Sequence, residues 1–168
     1  LSASSAASDV YKRQRYMKYK SDSEKMQIAI QEAKKALTLD EVPIGAAIFD
    51  KDDNLIASAH NMREVEQNPV SHAEIIVIQE ASKIFDTWRL EDTTIAVTVE
   101  PDAMCAGAIV NARIKTLLYG VPNLKAGAAY SLYNIPQDPR LNHFVEIREN
   151  ILSHESEVIL SSFFESKR

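Results

Sequence analysis

The amino-acid sequence predicts an α/β fold in three layers, a mixed sheet with helices on both faces. Three observations predict it. Apolar spacing alternates along the chain between helical and strand-like periods, in the order helix, strand, strand, helix, strand, helix, strand, helix. Thr94–Val99, the apolar stretch after Pro101 and residues 114–119 place a strand, a helix and a strand within about 26 residues, the length of a right-handed crossover between parallel neighbours. Two strand-like runs joined only by Lys51-Asp52-Asp53-Asn54 form a hairpin, which adds an antiparallel pair.

Each element follows from local chemistry. Ser21-Asp22-Ser23-Glu24 is a capping box, with Ser21 accepting from the first turn and Glu24 reaching back. Met26, Ala29, Ile30, Ala33 and Leu37 then recur at helical spacing. Pro43 and Gly45 end that pattern and introduce a strand over residues 44–50, returned by residues 55–59. Residues 60–70 have no period and contain Asn61, Asn68 and Pro69, so they read as a loop. Ser71 is placed to cap a helix through Ile75, Ile76, Ile78 and Ala81 towards Phe85. Thr94–Val99 is β-branched and reads as a buried strand; Pro101 stands where helices often begin, and residues 104–110 continue the helix. The next strand, residues 114–119, is closed by Gly120. Residues 121–140 hold Pro122, Gly127, Pro136 and Pro139 and read as a long loop, of the kind compact domains keep for function. Residues 144–147 read as one more short strand, and Ser153, Glu155 and Glu157 open a last helix through Ile159, Leu160, Phe163 and Phe164.

Composition excludes several classes. With 168 residues, 45 % hydrophobic and 26 % charged, the chain suits one core and is too apolar for a disordered protein. Apolar runs such as residues 103–110 fall far short of a membrane span, so no membrane partner is expected. The first residues lack the basic and apolar segments of a secretory signal. The single cysteine, Cys105, allows no internal disulfide; the chain therefore reads as cytoplasmic, and its thiol as either packing or chemistry. Residues 1–16, small, polar and similar to translated sequencing-adapter read-through, read as a non-native or disordered tail, and residues 17–168 as a single domain. Without that tail the chain carries 16 positive and 23 negative groups, a net charge of −7, so a polyanionic partner must be held by a local basic patch against a repulsive global field.

Two short stretches carry the chemistry, His72-Ala73-Glu74 and Pro101-Asp102-Ala103-Met104-Cys105, each at the start of a helix. Singly both are weak, because a histidine at a helix start is more often a cap or a satisfied core residue. Together they match the zinc nucleobase deaminase signature H-x-E followed by P-C-x-x-C, with aspartate in place of the first cysteine. Positions 102 and 105 share one face of a first helical turn and can grip one ion; His72 supplies a third ligand and leaves a fourth tetrahedral position open. Glu74 stands beside that opening as a proton carrier and not as a ligand. Aspartate keeps the charge that cysteine would bring but is a harder donor, so weaker zinc retention and some tolerance of other divalent ions are expected. The alternative is a broken site on a folded, silent protein.

The stretches Asp40-Glu41-Val42-Pro43-Ile44-Gly45-Ala46, Trp88-Arg89-Leu90, Val97-Thr98-Val99-Glu100-Pro101, Met104-Cys105-Ala106-Gly107-Ala108, Gly127-Ala128-Ala129, Asn142-His143 and Phe163-Phe164 accompany the two motifs. With Asn61, Arg63 and Pro69 they extend a likeness from Met26 to Arg168. In this series the chain resembles the bacterial tRNA-specific adenosine deaminases of the cytidine deaminase-like superfamily. The resemblance implies the cytidine deaminase-like three-layer fold with about five strands, a homodimer, one Zn2+ per subunit on His72, Asp102 and Cys105, and hydrolytic conversion of wobble adenosine to inosine in a tRNA anticodon loop. It implies that Glu74 takes a proton from water, passes it to adenine nitrogen 1 and later protonates departing ammonia. Asn61 matches a position that hydrogen-bonds the flipped nucleoside, and Val42, Ile44 and Val121 would line its pocket or serve as plain core. At Asn123 the family usually has Asp; the neutral amide predicts weaker discrimination between RNA and single-stranded DNA. Lys125, Arg140, Arg148, Lys167 and Arg168, with Phe164, are the expected RNA contacts. Two rivals stay open: a deaminase of free guanine or cytosine compounds, and a catalytically silent RNA-binding dimer subunit.

Overall fold

The structure, a computed structural model, describes residues 17–168, and the expectation for residues 1–16 lies outside the described residues. Among the described residues four helices and five strands follow in order: α1 (Asp22–Thr38), β1 (Gly45–Phe49), β2 (Leu55–His60), α2 (Ala73–Phe85), β3 (Thr94–Val99), α3 (Ala103–Asn111), β4 (Thr116–Val121), β5 (Glu146–Arg148) and α4 (Ser153–Ser166). The strands form one sheet in the order β2-β1-β3-β4-β5. β1 is antiparallel to both β2 and β3, whereas β3, β4 and β5 run parallel, so the sheet is mixed as expected.

Side-chain alternation along the strands builds the layers. Ala47, Phe49, Ala96 and Leu118 point to one face and pack with Met26, Ala29 and Ile30 of α1 and Ile159 of α4. Ala46, Ile48, Ile95, Val97, Leu117 and Tyr119 point to the other face and meet Ala73, Val77 and Ala81 of α2 and Ile109 and Val110 of α3. Gly45 permits the first contact: a Cβ there would lie 1.9 Å from the Ala29 carbonyl oxygen, so any side chain would force α1 off the sheet. The hairpin closes through Asp50, whose Oδ1 accepts from the backbone N–H groups of Asp52 and Asn54, both at 2.9 Å.

Two helix boundaries differ from expectation. Ser71 donates its hydroxyl to Glu66 and does not cap α2; His72 occupies the N-cap position without a side-chain cap bond, which leaves its imidazole free for other work. Pro101 lies outside α3, because the Asp102 carboxylate accepts the Cys105 N–H and makes Asp102 the cap. The last helix opens at Ser153 as expected, after Leu152 turns the chain in the left-handed conformation at φ 50°. The fifth strand begins two residues later than expected and ends one later, where Glu146 N–H reaches the Lys115 carbonyl and starts the ladder to β4. Among the described residues no helix is long and apolar enough to cross a membrane.

Candidate active site

The carboxyl ends of β2, β3 and β4 and the amino end of β1 share one edge of the molecule, and α2 and α3 both start there. Open α/β sheets keep their ligands at such an edge. A cleft at this edge is lined by Val42 and Ile44 before β1, Asn61 and Arg63 after β2, His72, Ala73 and Glu74 at the start of α2, Val99 at the end of β3 with Glu100 and Asp102 beyond it, and Asn123 after β4.

Three potential ligand atoms converge within it. His72 Nδ1 lies 3.2 Å from Asp102 Oδ2 and 3.5 Å from Cys105 Sγ, and the donor atoms of all three residues fall within 4.8 Å of one another. Donors at tetrahedral zinc distances from a common ion stand about 3.3 to 3.6 Å apart, and the two separations from His72 Nδ1 are close to that. Cys105 is fully buried, while His72 and Asp102 keep about a quarter of their side-chain surface, 27 % and 28 %, on the cleft side. The trio is thus open in one direction.

The charges in the site are tightly linked. The hydrogen bond to Asp102 raises the His72 pKa, and its counterpart from His72 holds the Asp102 carboxyl below the usual range. Burial pushes the Cys105 thiol up. Burial also lifts Glu74, only 4 % exposed, to about 6, close to the range in which a carboxyl can both accept and return a proton.

Of the residues expected to bind substrate, Val42, Ile44, Asn61 and Asn123 line the cleft, whereas Val121 ends β4 as a buried residue whose carbonyl accepts from Glu100 N–H. Asn61 is itself braced: Nδ2 donates to the Val42 carbonyl at 3.3 Å and Oδ1 accepts from Arg63 N–H at 3.1 Å. The expected RNA contacts divide. Lys125, Phe164, Lys167 and Arg168 line one groove along the end of α4. Lys167 also pairs with Asp40 and borders a second groove that shares Val42 and Arg63 with the cleft, so the two grooves continue the cleft along the surface. Arg140 pairs with Asp138, and Arg148 pairs with Asp22 and Glu146 in a separate groove.

Sequence reasoning assigned no role to Glu100, which the structure places at the centre of the cleft wall. It is 2 % exposed; Oε1 accepts from Asn123 N–H at 3.1 Å and from the Ser131 hydroxyl, and Oε2 accepts from the N–H groups of Ala129, Tyr130 and Ser131 at 3.2, 3.0 and 2.9 Å. Burial raises its pKa, but the bonds from Ser131, Tyr130 and Asn123 outweigh this and leave it lowered. An acid directly after a buried β-branched run was the available signal.

A mixed five-stranded sheet between helices, with H-x-E and a D-x-x-C pair at adjoining helix starts, defines the deaminase class. The family model described as MafB19-like deaminase matches residues 20–168. The tRNA-specific adenosine deaminase of Bacillus subtilis is 46 % identical over 143 residues, covering 85 % of this chain and 88 % of that protein. The enzyme of the same name from Haemophilus influenzae is 38 % identical over 147 residues, with 88 % and 85 % covered. The chain belongs to the family of tRNA-specific adenosine deaminases. A solved structure from work on A-to-I editing by tRNA:A34 deaminases superposes with a TM-score of 0.78 at 37 % identity, covering 81 % of this chain and 98 % of that one. Guanine deaminase from Nitrosomonas europaea, at 17 % identity and a TM-score of 0.74 over 92 % of this chain and 91 % of its own, shares the fold.

Proposed function

We propose that the chain converts adenosine to inosine hydrolytically at the wobble position of a tRNA anticodon loop, using one zinc ion held by His72, Asp102 and Cys105. The observation that carries this reading is the convergence of one imidazole, one carboxylate and one thiol at ligand spacing, with Glu74 buried beside them. When bound, zinc supplies the Lewis acidity that makes water a nucleophile near neutral pH. Glu74 accepts the first proton of that water and delivers it to adenine nitrogen 1; it then takes the second, from the hydroxyl now on carbon 6, and hands it to the amino group, which leaves as ammonia when its bond to carbon 6 breaks. Water and adenosine thus give inosine and ammonia, and the carboxylate ends as it began. Asn61, braced on the Val42 carbonyl, holds the nucleoside, and the apolar faces of Val42 and Ile44 seat the base. The choice of tRNA over a free base follows the named relatives and the groove of Lys125, Phe164, Lys167 and Arg168, which suits a phosphate chain with a stacked base. A homodimer and a cytoplasmic location belong to the same reading and rest on the family resemblance.

Replacing Glu74 by Ala is expected to lower inosine formation in an anticodon stem-loop RNA by roughly 10²-fold or more. Bound metal, measured by elemental analysis, should be retained. Persistent inosine in that variant would refute the role of Glu74, and turnover of free guanine or cytosine compounds without RNA editing would refute the substrate.

A further inference from the structure

The two carboxylate oxygens of Asp102 have different neighbours. Oδ1 accepts the backbone N–H of Cys105 at 2.9 Å, while Oδ2 faces His72 Nδ1 at 3.2 Å. The Asp102 backbone is extended, at φ −75° and ψ −178°, as an N-cap requires. We propose that Asp102 acts at once as the cap of α3 and as a one-oxygen metal ligand, so that the site keeps its shape without an ion and accepts harder divalent cations such as Mn2+ besides Zn2+. This rests on the trio being a metal site.

The argument follows from what each atom can do. An oxygen occupied by a backbone N–H is poorly placed to chelate, so the carboxylate offers one donor and the protein offers three in all, from His72, Asp102 and Cys105. The opening for water is thereby kept. A cysteine in the same place would present a single sulfur, a weak hydrogen-bond acceptor, and could not cap and ligate equally well. The cap also places the Cys105 backbone, and with it Sγ, before any ion arrives. One oxygen among the donors weakens the preference for soft, thiophilic ions and leaves harder ones less disadvantaged.

Two substitutions separate the roles. Asp102→Asn keeps a capping oxygen but replaces the ligand oxygen by an amide group, whereas Asp102→Cys keeps a ligand and loses the cap. In chelator-treated protein, Asp102→Asn should melt near the wild-type temperature and Asp102→Cys about 2–6 °C lower. Titrated with Zn2+ alone, Asp102→Cys should bind at least about 10-fold more tightly than wild type and Asp102→Asn at least about 10-fold more weakly; with Mn2+ alone, wild type should bind more tightly than either. With Co2+, the thiolate-to-metal absorption band should about double in Asp102→Cys, reporting two sulfur donors against one. An unchanged melting temperature in metal-free Asp102→Cys, or wild-type zinc affinity in Asp102→Asn, would overturn the division of labour. If wild-type protein took up none of the three ions, the metal site itself would be refuted, and a normal cap result beside it would show which claim had failed.

Discussion

Asn123 shows how one side chain can be divided between structure and substrate. Its Oδ1 accepts the backbone N–H groups of Lys125 and Ala126 at 3.3 and 3.1 Å, which fixes the turn after β4, and the residue lines the cleft. The oxygen is therefore committed to the turn, and the amide nitrogen remains to meet a ligand. An aspartate here would keep the turn with one oxygen and present negative charge with the other. A unit charge near a phosphate chain costs about 1 kcal/mol in partly solvated surroundings, and a ribose hydroxyl, which DNA lacks, can offset part of that by donating a hydrogen bond. Asn123→Asp is thus expected to raise the ratio of RNA to single-stranded DNA deamination, by up to roughly fivefold. Parallel assays on an anticodon stem-loop and its DNA counterpart measure this, and an unchanged or lower ratio would contradict it. The departure at Asn123 was legible only against the family's pattern, whereas His72, Glu74 and Cys105 stand in short local patterns that gain their meaning as a pair. Glu100 was not: its five donors sit 23 to 31 residues further on, and no local pattern records that they fold back over it.

Elements with a strong period were legible for the same reason, since α1, α2 and the β3-α3-β4 crossover each repeat one spacing over several residues. Boundaries set by side-chain bonds were less so. Ser71 looks like a cap until Glu66 takes its hydroxyl, and Asp102 displaces Pro101 as the start of α3 by accepting a single N–H. The loop after β4 is the extreme case, because its shape comes from the buried Glu100 carboxylate, the Asn123 side chain and scattered backbone bonds, and not from a regular ladder. Gly127 belongs to that arrangement: its N–H bonds the Asn123 carbonyl at 2.8 Å, and a Cβ there would lie 2.3 Å from Glu100 Oε2 and 2.5 Å from the Asn123 oxygen. Neither neighbour can withdraw without giving up loop hydrogen bonds. Gly127→Ala should therefore destabilise the protein by about 1–3 kcal/mol, read from urea unfolding, and raise the KM for stem-loop RNA as Asn123 shifts. Wild-type stability and KM in that variant would show that the loop is held by something other than Glu100.

Across the whole molecule, the edge strand β2 is fastened to α1 by a buried carboxylate, and this ties acid stability to the fold as a unit. Glu32 is 6 % exposed; its Oε1 accepts from the Ser58 hydroxyl at 2.8 Å and Lys35 Nζ at 2.9 Å, and its Oε2 meets His60 Nδ1 at 2.7 Å. Burial alone would raise the Glu32 pKa, but the bonds to His60, Lys35 and Ser58 prevail and leave it below the ordinary 4.5. A carboxyl whose pKa is lower in the folded than in the unfolded chain binds its proton more readily once unfolded. Its stabilising contribution is therefore complete above about pH 4.5 and declines as the pH falls through the lower, folded value. Glu32→Gln removes the charge but keeps the size, so it should cost about 1–3 kcal/mol at pH 7 by depriving half-buried His60 and Ser58 of a buried, charged acceptor. The gap between wild type and variant should then narrow as the pH drops below 4.5, because only the wild-type side chain gains a proton. Urea unfolding at stepped pH values measures both curves; a gap that stayed constant down to acid unfolding would mean that the carboxylate bonds contribute no charge-dependent stability. Since His60 ends β2 and Asn61 follows it into the cleft, loss of this fastening should also reach the active site. Stem-loop deamination by Glu32→Gln at pH 7 is accordingly expected to fall while the chain remains folded.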